Sequence, residues 1–325
     1  MIKNITSLST DGKARVQVAR PTSGRLFDAD RTGVGSQINI YPVYKKLARS
    51  STCRLDAPNS LLCAKQRRRI HDQQSSETGK VMIWGDTGGV GFASARILAS
   101  SGFDLHLVAR DASKLAALAD KLADSTSRAD VQNDTAFARV SAEAGASLAG
   151  LVNAVGSINL RPLAQLMTAV FVRNFRVNAI VAALTVQAVL AELKAAPQIA
   201  SVVLFSSVAV AQDFAAHASV SMAKGTVKGL TRALPAEATP KIRINSIAPS
   251  LTDTPLAAML PGNPQISASI AQSHALPRLG KPKDIAALAV FLISYPADWM
   301  SGQVIAVGCG CSCLRTRAER GQPTW

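Results

Sequence analysis

Aromatic residues are scarce. Phe, Trp and Tyr make up 5% of the 325 residues, and only three are tyrosines: Tyr41, Tyr44 and Tyr295. A core must therefore rest on Ala, Val, Leu and Ile, a composition suited to a parallel sheet covered by helices on both faces. No stretch reads as a membrane span. The longest apolar run, Val177–Leu193, is interrupted by Asn178, Gln187 and Glu192 and reads as a buried helix. The five cysteines, Cys53, Cys63, Cys309, Cys311 and Cys313, are an odd set in a long chain, which excludes a secreted disulfide framework. The closely spaced Cys309, Cys311 and Cys313 have no second cluster and no adjacent histidine, a poor match to zinc-ligand spacing, so no metal is expected. The N-terminus lacks the charged-then-apolar pattern of a secretory signal. It has the Arg, Lys and Ser of a transit peptide but also Asp11, Asp28 and Asp30, so a cytoplasmic location is expected and an organellar address has only basic composition behind it.

Acidic residues are also few, 21 against 36 Lys and Arg, for a net charge of +15. Such an excess suggests a polyanionic partner, but its distribution argues otherwise. Residues 1–79 hold 14 Lys/Arg against 6 Asp/Glu, and the remainder is spread without a dense cluster. The run Arg67-Arg68-Arg69 reads as a solvated stretch, and no nucleic-acid recognition motif accompanies it. With Gly12, Pro21, Gly24, Gly33, Gly35, Pro42 and Pro58 and little periodicity, residues 1–79 are expected to be a basic, disordered extension.

After Gly79 the texture changes. Short β-rich runs at Val81–Trp84, Leu105–Ala109, Ala129–Val131, Gly150–Asn153, Ser201–Ser206, Arg243–Ile247 and Val304–Val307 alternate with helical patterns. The helices fall near Gly89–Ser101, Ala112–Ala123, Thr135–Ala144, Leu163–Leu193, Ser219–Glu237 and Pro282–Ile293. This alternation predicts an α/β fold: a Rossmann-type, doubly wound parallel sheet of about seven strands, in one domain over 80–308. Residues 309–325 are left as a tail.

Gly85-Asp86-Thr87-Gly88-Gly89-Val90-Gly91 follows the first strand and opens a helix. In such a bend the first glycine turns the chain off the strand. The next lets backbone approach a pyrophosphate, and the third lets helix and sheet pack closely, with helix N–H groups facing the phosphates. The strand before, the helix after and a second strand about 20 residues on supply the required context. At the end of that second strand, where an NAD site usually has a carboxylate, stands Ala109, followed by Arg110. Alanine leaves room for a 2′-phosphate and a guanidinium can bind it twice over, so NADP is favoured over NAD. Asp111 is taken as the N-cap of the next helix.

Together these and later motifs resemble the short-chain dehydrogenase/reductase family across nearly all of 80–308. Gly85, Gly89 and Gly91 match its glycine pattern, with Trp84 where Thr is usual. The resemblance puts Thr87 and Val90 in the cofactor cradle, Asp130-Val131 around the adenine, and Asn153, in Asn153-Ala154-Val155-Gly156, at the end of the fourth strand. It implies that Asn178 anchors a proton-relay water, Ser207 orients substrate and Lys224 binds the nicotinamide ribose. Pro249, Thr252 and Thr254 resemble the segment that contacts the carboxamide, with Ser250 in place of Gly. The family's acid/base tyrosine lies four residues before the lysine, and here that position holds Val220. The pair Tyr41 and Lys45 has the right spacing but precedes the glycine bend and has Pro42 between its members.

That loss bears directly on the chemistry. Carbonyl reduction adds hydride to carbon while a proton reaches oxygen, and a phenol beside a cationic lysine can exchange that proton near neutral pH. Valine cannot. His217, just before the helix, or a water held by Asn178 and Lys224, is the candidate replacement. Two functions follow: an NADP(H)-dependent oxidoreductase acting on a carbonyl or alcohol with non-standard proton delivery, or a non-catalytic dinucleotide-binding sensor or partner subunit. The resemblance also implies a homodimer or homotetramer paired through Leu163–Leu193 and Ser219–Glu237, and a substrate pocket covered by Leu251–Ala275.

Overall fold

The computed structural model describes residues 79–257 and 264–314. The expected extension, its arginine run, Cys53, Cys63, Tyr41 and Tyr44, most of the tail, and the middle of the pocket cover at 258–263 lie outside the described residues. Seven parallel strands form one sheet in the order β3-β2-β1-β4-β5-β6-β7. They are β1 (Lys80–Trp84), β2 (Asp104–Ala109), β3 (Ser125–Arg128), β4 (Gly150–Asn153), β5 (Ala200–Phe205), β6 (Ile242–Pro249) and β7 (Val304–Val307). The helices are α1 (Gly89–Ser100), α2 (Ala112–Leu122), α3 (Thr135–Ala144), α4 (Thr168–Phe175), α5 (Val181–Ala188), α6 (Leu190–Lys194), α7 (Ala218–Ala233), α8 (Pro235–Ala238), α9 (Pro264–Gln272) and α10 (Pro282–Ile293).

Both faces of the sheet are buried, which is why its strands read as apolar runs rather than alternating ones. On one face Met82, Trp84, Leu151, Val202 and Leu204 pack against Phe137, Val140, Val181, Val186 and Val227. On the other, Val81, Ile83, Leu105, Leu107 and Val203 pack against Ala95, Leu98, Ile285, Ala289 and Leu292. The strand order reverses between β1 and β4, which opens a crevice at the carboxyl ends of the strands, where α/β sheets bind ligands.

Four expectations are corrected. The third strand is Ser125–Arg128, not Ala129–Val131. It pairs with His106–Ala109 of β2, and its serines bond the His106 ring (Nδ1 to Ser125 Oγ 2.8 Å, Nε2 to Ser127 Oγ 3.0 Å), so a polar strand is held where an apolar one was sought. Residues 129–131 leave the sheet as the loop that borders the crevice. The expected helix Leu163–Leu193 begins as a 3-10 turn at Leu163–Gln165, continues through α4 and α5, and breaks at Val189 before α6. Between α4 and α5 runs a wider π turn, Arg176–Ile180. The rod Thr168–Ala188 is long and apolar enough to cross a membrane by length and mean hydropathy (1.4), but Val181, Ala182 and Val186 bury against the sheet as a core helix does. The helix expected over Ser219–Glu237 stops at Ala233, because Pro235 has no N–H to continue it and starts α8 instead. Finally, the pocket cover contains a helix, α9, and the chain stays packed past 308: Cys311 is buried and the Ala275 N–H bonds the Cys309 carbonyl at 3.2 Å.

His106 is fully buried and burial lowers its imidazole to about 4, with Lys80 pushing the same way. The unfolded chain takes up this proton near 6.5 and the folded one resists it. Stability is thus full above about pH 6.5 and falls as the pH drops towards 4, by about 3 kcal/mol. Urea unfolding across that window should show the loss, and His106→Gln, which can still bond the serines, should remove most of it.

Candidate active site

The site is built outward from the bend between β1 and α1. Gly85 sits at φ +83°, a left-handed conformation that side chains rarely adopt, with its N–H donated to the Val108 carbonyl at 2.9 Å. The returning helix passes so close that a Cβ on Gly91 would stand 2.3 Å from the Gly85 carbonyl oxygen. The helix N-terminus carries no side-chain cap and no acid in its first turn, so its N–H groups face the crevice with their partial positive charge.

From this bend a cleft of about 1050 Å³ runs over the ends of β2 and β3. Gly85, Thr87, Gly89, Val90, Gly91, Arg110, Asp130, Val131 and Thr254 all line it. Asp111 does cap α2, accepting the Ser113 and Lys114 N–H groups at 3.1 Å each, and at the edge of the cleft it also pairs with the Lys114 ammonium at 3.7 Å. Lys114, Arg128 and Arg139 also border the cleft, so its far end is cationic. Arg128 Nε donates to the Arg110 carbonyl at 3.2 Å and Arg139 to the Arg128 carbonyl at 2.7 Å, which ties that corner together. These features fit a dinucleotide, whose diphosphate the uncapped helix end can receive.

A second, apolar pocket of about 250 Å³ opens from the same cleft, sharing Val90, Gly156, Ser157, Thr254 and Leu256 with it. Asn178, Ser207, His217, Val220, Lys224, Pro249 and Thr252 line it. Lys224 is 8% exposed, donates from Nζ to the Phe205 carbonyl at 2.9 Å, and is lowered by burial to about 8. Asn178 lies in the π turn. Its Nδ2 bonds the Asn174 carbonyl at 3.0 Å, and its Oδ1 accepts the Ser157 N–H at 3.1 Å. The extra residue of such a turn swings Asn178 into the pocket wall, a role π turns often have at functional sites. Both groups close on Gly156, whose absent Cβ would be 3.2 Å from Asn178 Oδ1 and 3.4 Å from Lys224 Nζ.

Ser207 accepts the Ala209 N–H at 3.2 Å, which leaves its own hydroxyl proton to donate. Val220 is buried one turn ahead of Lys224, and among the described residues no tyrosine lines the pocket. His217 follows Ala216, itself held at φ +63°, and its Nδ1 lies 2.7 Å from the Ala215 carbonyl.

Asn153 is the one expected contact that lines neither cavity. Buried at the end of β4, it bonds Thr185 Oγ1 at 3.1 Å and accepts the Val155 N–H at 3.1 Å, so it shapes the loop that reaches the cleft instead. Two polar residues were not foreseen. Ser250 lines the pocket, with its Oγ 2.8 Å from His274 Nε2. Asp86 lies in the bend with its carboxylate buried and, among the described residues, with no partner beyond the N–H groups of Asp86 and Thr87 themselves.

The family model described as Enoyl-(Acyl carrier protein) reductase matches residues 85–312. An uncharacterized oxidoreductase of Mycobacterium tuberculosis is 32% identical over 241 residues, covering 70% of this chain and 90% of its own. Cis-4-hydroxycyclohexanecarboxylate dehydrogenase of Sinomonas cyclohexanicum is 31% identical over 245 residues, covering 72% and 96%. Among solved structures, a short-chain type dehydrogenase/reductase from Mycobacterium ulcerans superposes with a TM-score of 0.68 at 27% identity, covering 73% of this chain and 90% of that one. The fold and site define an α/β oxidoreductase, and the chain belongs to the short-chain dehydrogenase/reductase family, whose members bind NAD(P).

Asp86 supplies a test of the bend. Burial raises its carboxyl to about 6 from 3.8, so the folded state holds this proton more tightly than the unfolded chain. The penalty is absent below about pH 4, grows as the pH rises towards 6 and is then complete, at about 3 kcal/mol. Asp86→Ala should therefore raise the melting temperature at pH near 7.5 and leave it nearly unchanged at pH near 4, the opposite pH sense to His106.

Proposed function

We propose that the protein is an NADP(H)-dependent oxidoreductase acting on a carbonyl or alcohol substrate, as an atypical family member without the acid/base tyrosine. One observation carries this reading: the cationic cleft that begins at Arg110 continues without a break into the apolar pocket that holds Lys224, Ser207 and Asn178. A nicotinamide bound there supplies or accepts the hydride. The other roles belong to the chain. Gly85, Thr87, Gly89, Val90 and Gly91 receive the diphosphate at the helix end. Arg110 pairs with a 2′-phosphate, while Asp130 and Val131 flank the adenine. Lys224 holds the ribose with Pro249, Thr252 and Thr254 beside the carboxamide. Ser207 donates to the substrate oxygen, and Asn178 holds a water next to Lys224. His217 lines the same pocket. Apolar walls at Phe205, Val208, Val220 and Leu251 favour a modest apolar substrate.

Val220 favours a second reading, a dinucleotide-binding protein that carries out no turnover, since the site keeps its cofactor-facing residues and has no phenol. Both readings expect cofactor binding, so hydride transfer separates them. Single-turnover mixing of the NADPH complex with a panel of aldehydes and ketones should oxidise NADPH above background, and no oxidation with any of them selects the binder. Arg110→Ala should weaken NADPH binding roughly tenfold and leave NADH binding nearly unchanged.

We also propose pairing into a homodimer or homotetramer along the long helices. Their outer faces leave Met167 (66% exposed), Val172 (63%) and Met222 (46%) uncovered in the single chain. Light scattering at micromolar concentration should give at least twice the chain mass.

A further inference from the structure

We propose that Ser250 and His274 form the proton-transfer pair of the substrate pocket, with the serine hydroxyl meeting the substrate oxygen and the histidine placed behind it as base. This rests on the oxidoreductase reading and names the group that replaces the missing phenol. Ser250 lines the pocket and its Oγ lies 2.8 Å from His274 Nε2. The other ring nitrogen, Nδ1, lies 2.9 Å from the Ile270 carbonyl oxygen. A carbonyl can only accept, so Nδ1 carries the proton in the neutral ring. Nε2 is then the acceptor, and the Ser250 hydroxyl must donate to it. This is the arrangement of an activated hydroxyl: a base within hydrogen-bond reach, itself oriented by a third group. With its proton committed to His274, Ser250 Oγ has lone pairs left to accept from an alcohol.

Both partners are fixed in place. The Ser250 N–H bonds the Val307 carbonyl at 3.0 Å, and its own carbonyl accepts Thr252 Oγ1 at 2.9 Å. Gly308 makes room for it, since a Cβ there would stand 2.8 Å from Ser250 Cβ. His274 is 4% exposed at the end of α9. The segment after it is tied down by Ala275 N–H to the Cys309 carbonyl and Leu276 N–H to Cys309 Sγ, each at 3.2 Å. His217 has no comparable partner among the described residues: its Nδ1 also faces a carbonyl, but no hydroxyl meets its Nε2.

The step balances. In oxidation, the alcohol O–H proton passes to Ser250 Oγ as the serine proton passes to His274 Nε2, and the alcohol C–H leaves as hydride to the oxidised nicotinamide. The products are the carbonyl compound, the reduced cofactor and a His274 imidazolium that later returns its proton to solvent. Reduction runs the same transfers backwards from the imidazolium.

Two measurements test the pair. Heteronuclear NMR of the imidazole nitrogens in the intact protein should find neutral His274 protonated at Nδ1, with its Nε2 resonance shifting in Ser250→Ala. A ring protonated at Nε2, or one indifferent to Ser250, overturns the proposal without any turnover assay. Second, His274→Gln can still accept the serine hydroxyl but cannot take up a proton. Single-turnover reduction of phenanthrenequinone by bound NADPH should slow roughly 100-fold in it while NADPH affinity holds. A parental rate in His274→Gln, or loss of the rate in His217→Ala instead, overturns this pair alone. A parent protein that binds NADPH and reduces no carbonyl overturns both this proposal and the oxidoreductase reading.

Discussion

The structure depends on one close approach, the first turn of α1 lying against the Gly85 carbonyl with no room for a side chain at Gly91. That contact sets the angle at which α1 leaves β1, and so how it packs through Ala95 and Leu98 on the sheet. It also decides where the helix end points. Because nothing caps that end, the fold carries a fixed partial positive charge at the crevice between β1 and β4, the place the parallel topology already opens. Cofactor chemistry follows from a packing constraint rather than from a cluster of charged side chains.

Around that bend the site divides by polarity. The cleft end is exposed and carries more cations than acids; Arg128 and Arg139 are tied to backbone carbonyls, and Arg139 also pairs with Glu143 at 2.6 Å. The pocket end is apolar, and there burial lowers the Lys224 ammonium towards neutrality. A lysine so placed is poised between charged and neutral forms in the physiological range, which suits a group that shares a proton network with water. The same low-polarity wall makes each hydrogen bond in the pocket more consequential, including the one between Ser250 and His274.

Much of this was legible in the sequence, and the exceptions share a cause. β1, β2, β4, β5 and β7 show as largely apolar runs, whereas β6 is interrupted by Arg243, Asn245 and Ser246 and is legible from its isoleucines. β3 shows no such run, since its Ser125 and Ser127 are held by a buried histidine, and no local pattern announces a polar strand paired through side chains. The glycine bend could be read because the strand before it and the helix after it fix it locally, whereas Asn178, Ser207 and Lys224 are placed by the family resemblance of their motifs. The π turn that aims Asn178 could not, because one extra residue within a helix leaves the apolar period almost unchanged. Asn153 looked like a cofactor contact from its motif, yet its side chain is consumed by Thr185 across the core. His274 was invisible for a plainer reason. Its partner is 24 residues away, on the other side of a segment that reads as loop, and only the folding of α9 brings them together.

Isothermal calorimetry of the purified chain with NADP+ and NADPH tests the central claim most directly, because every role assigned to the cleft presupposes that the bend receives a diphosphate. Saturable heat at one site per chain, lost when Gly91 is replaced by Val, is the result expected. No heat with either of these coenzymes, nor with NAD+ or NADH, would contradict the account at its base.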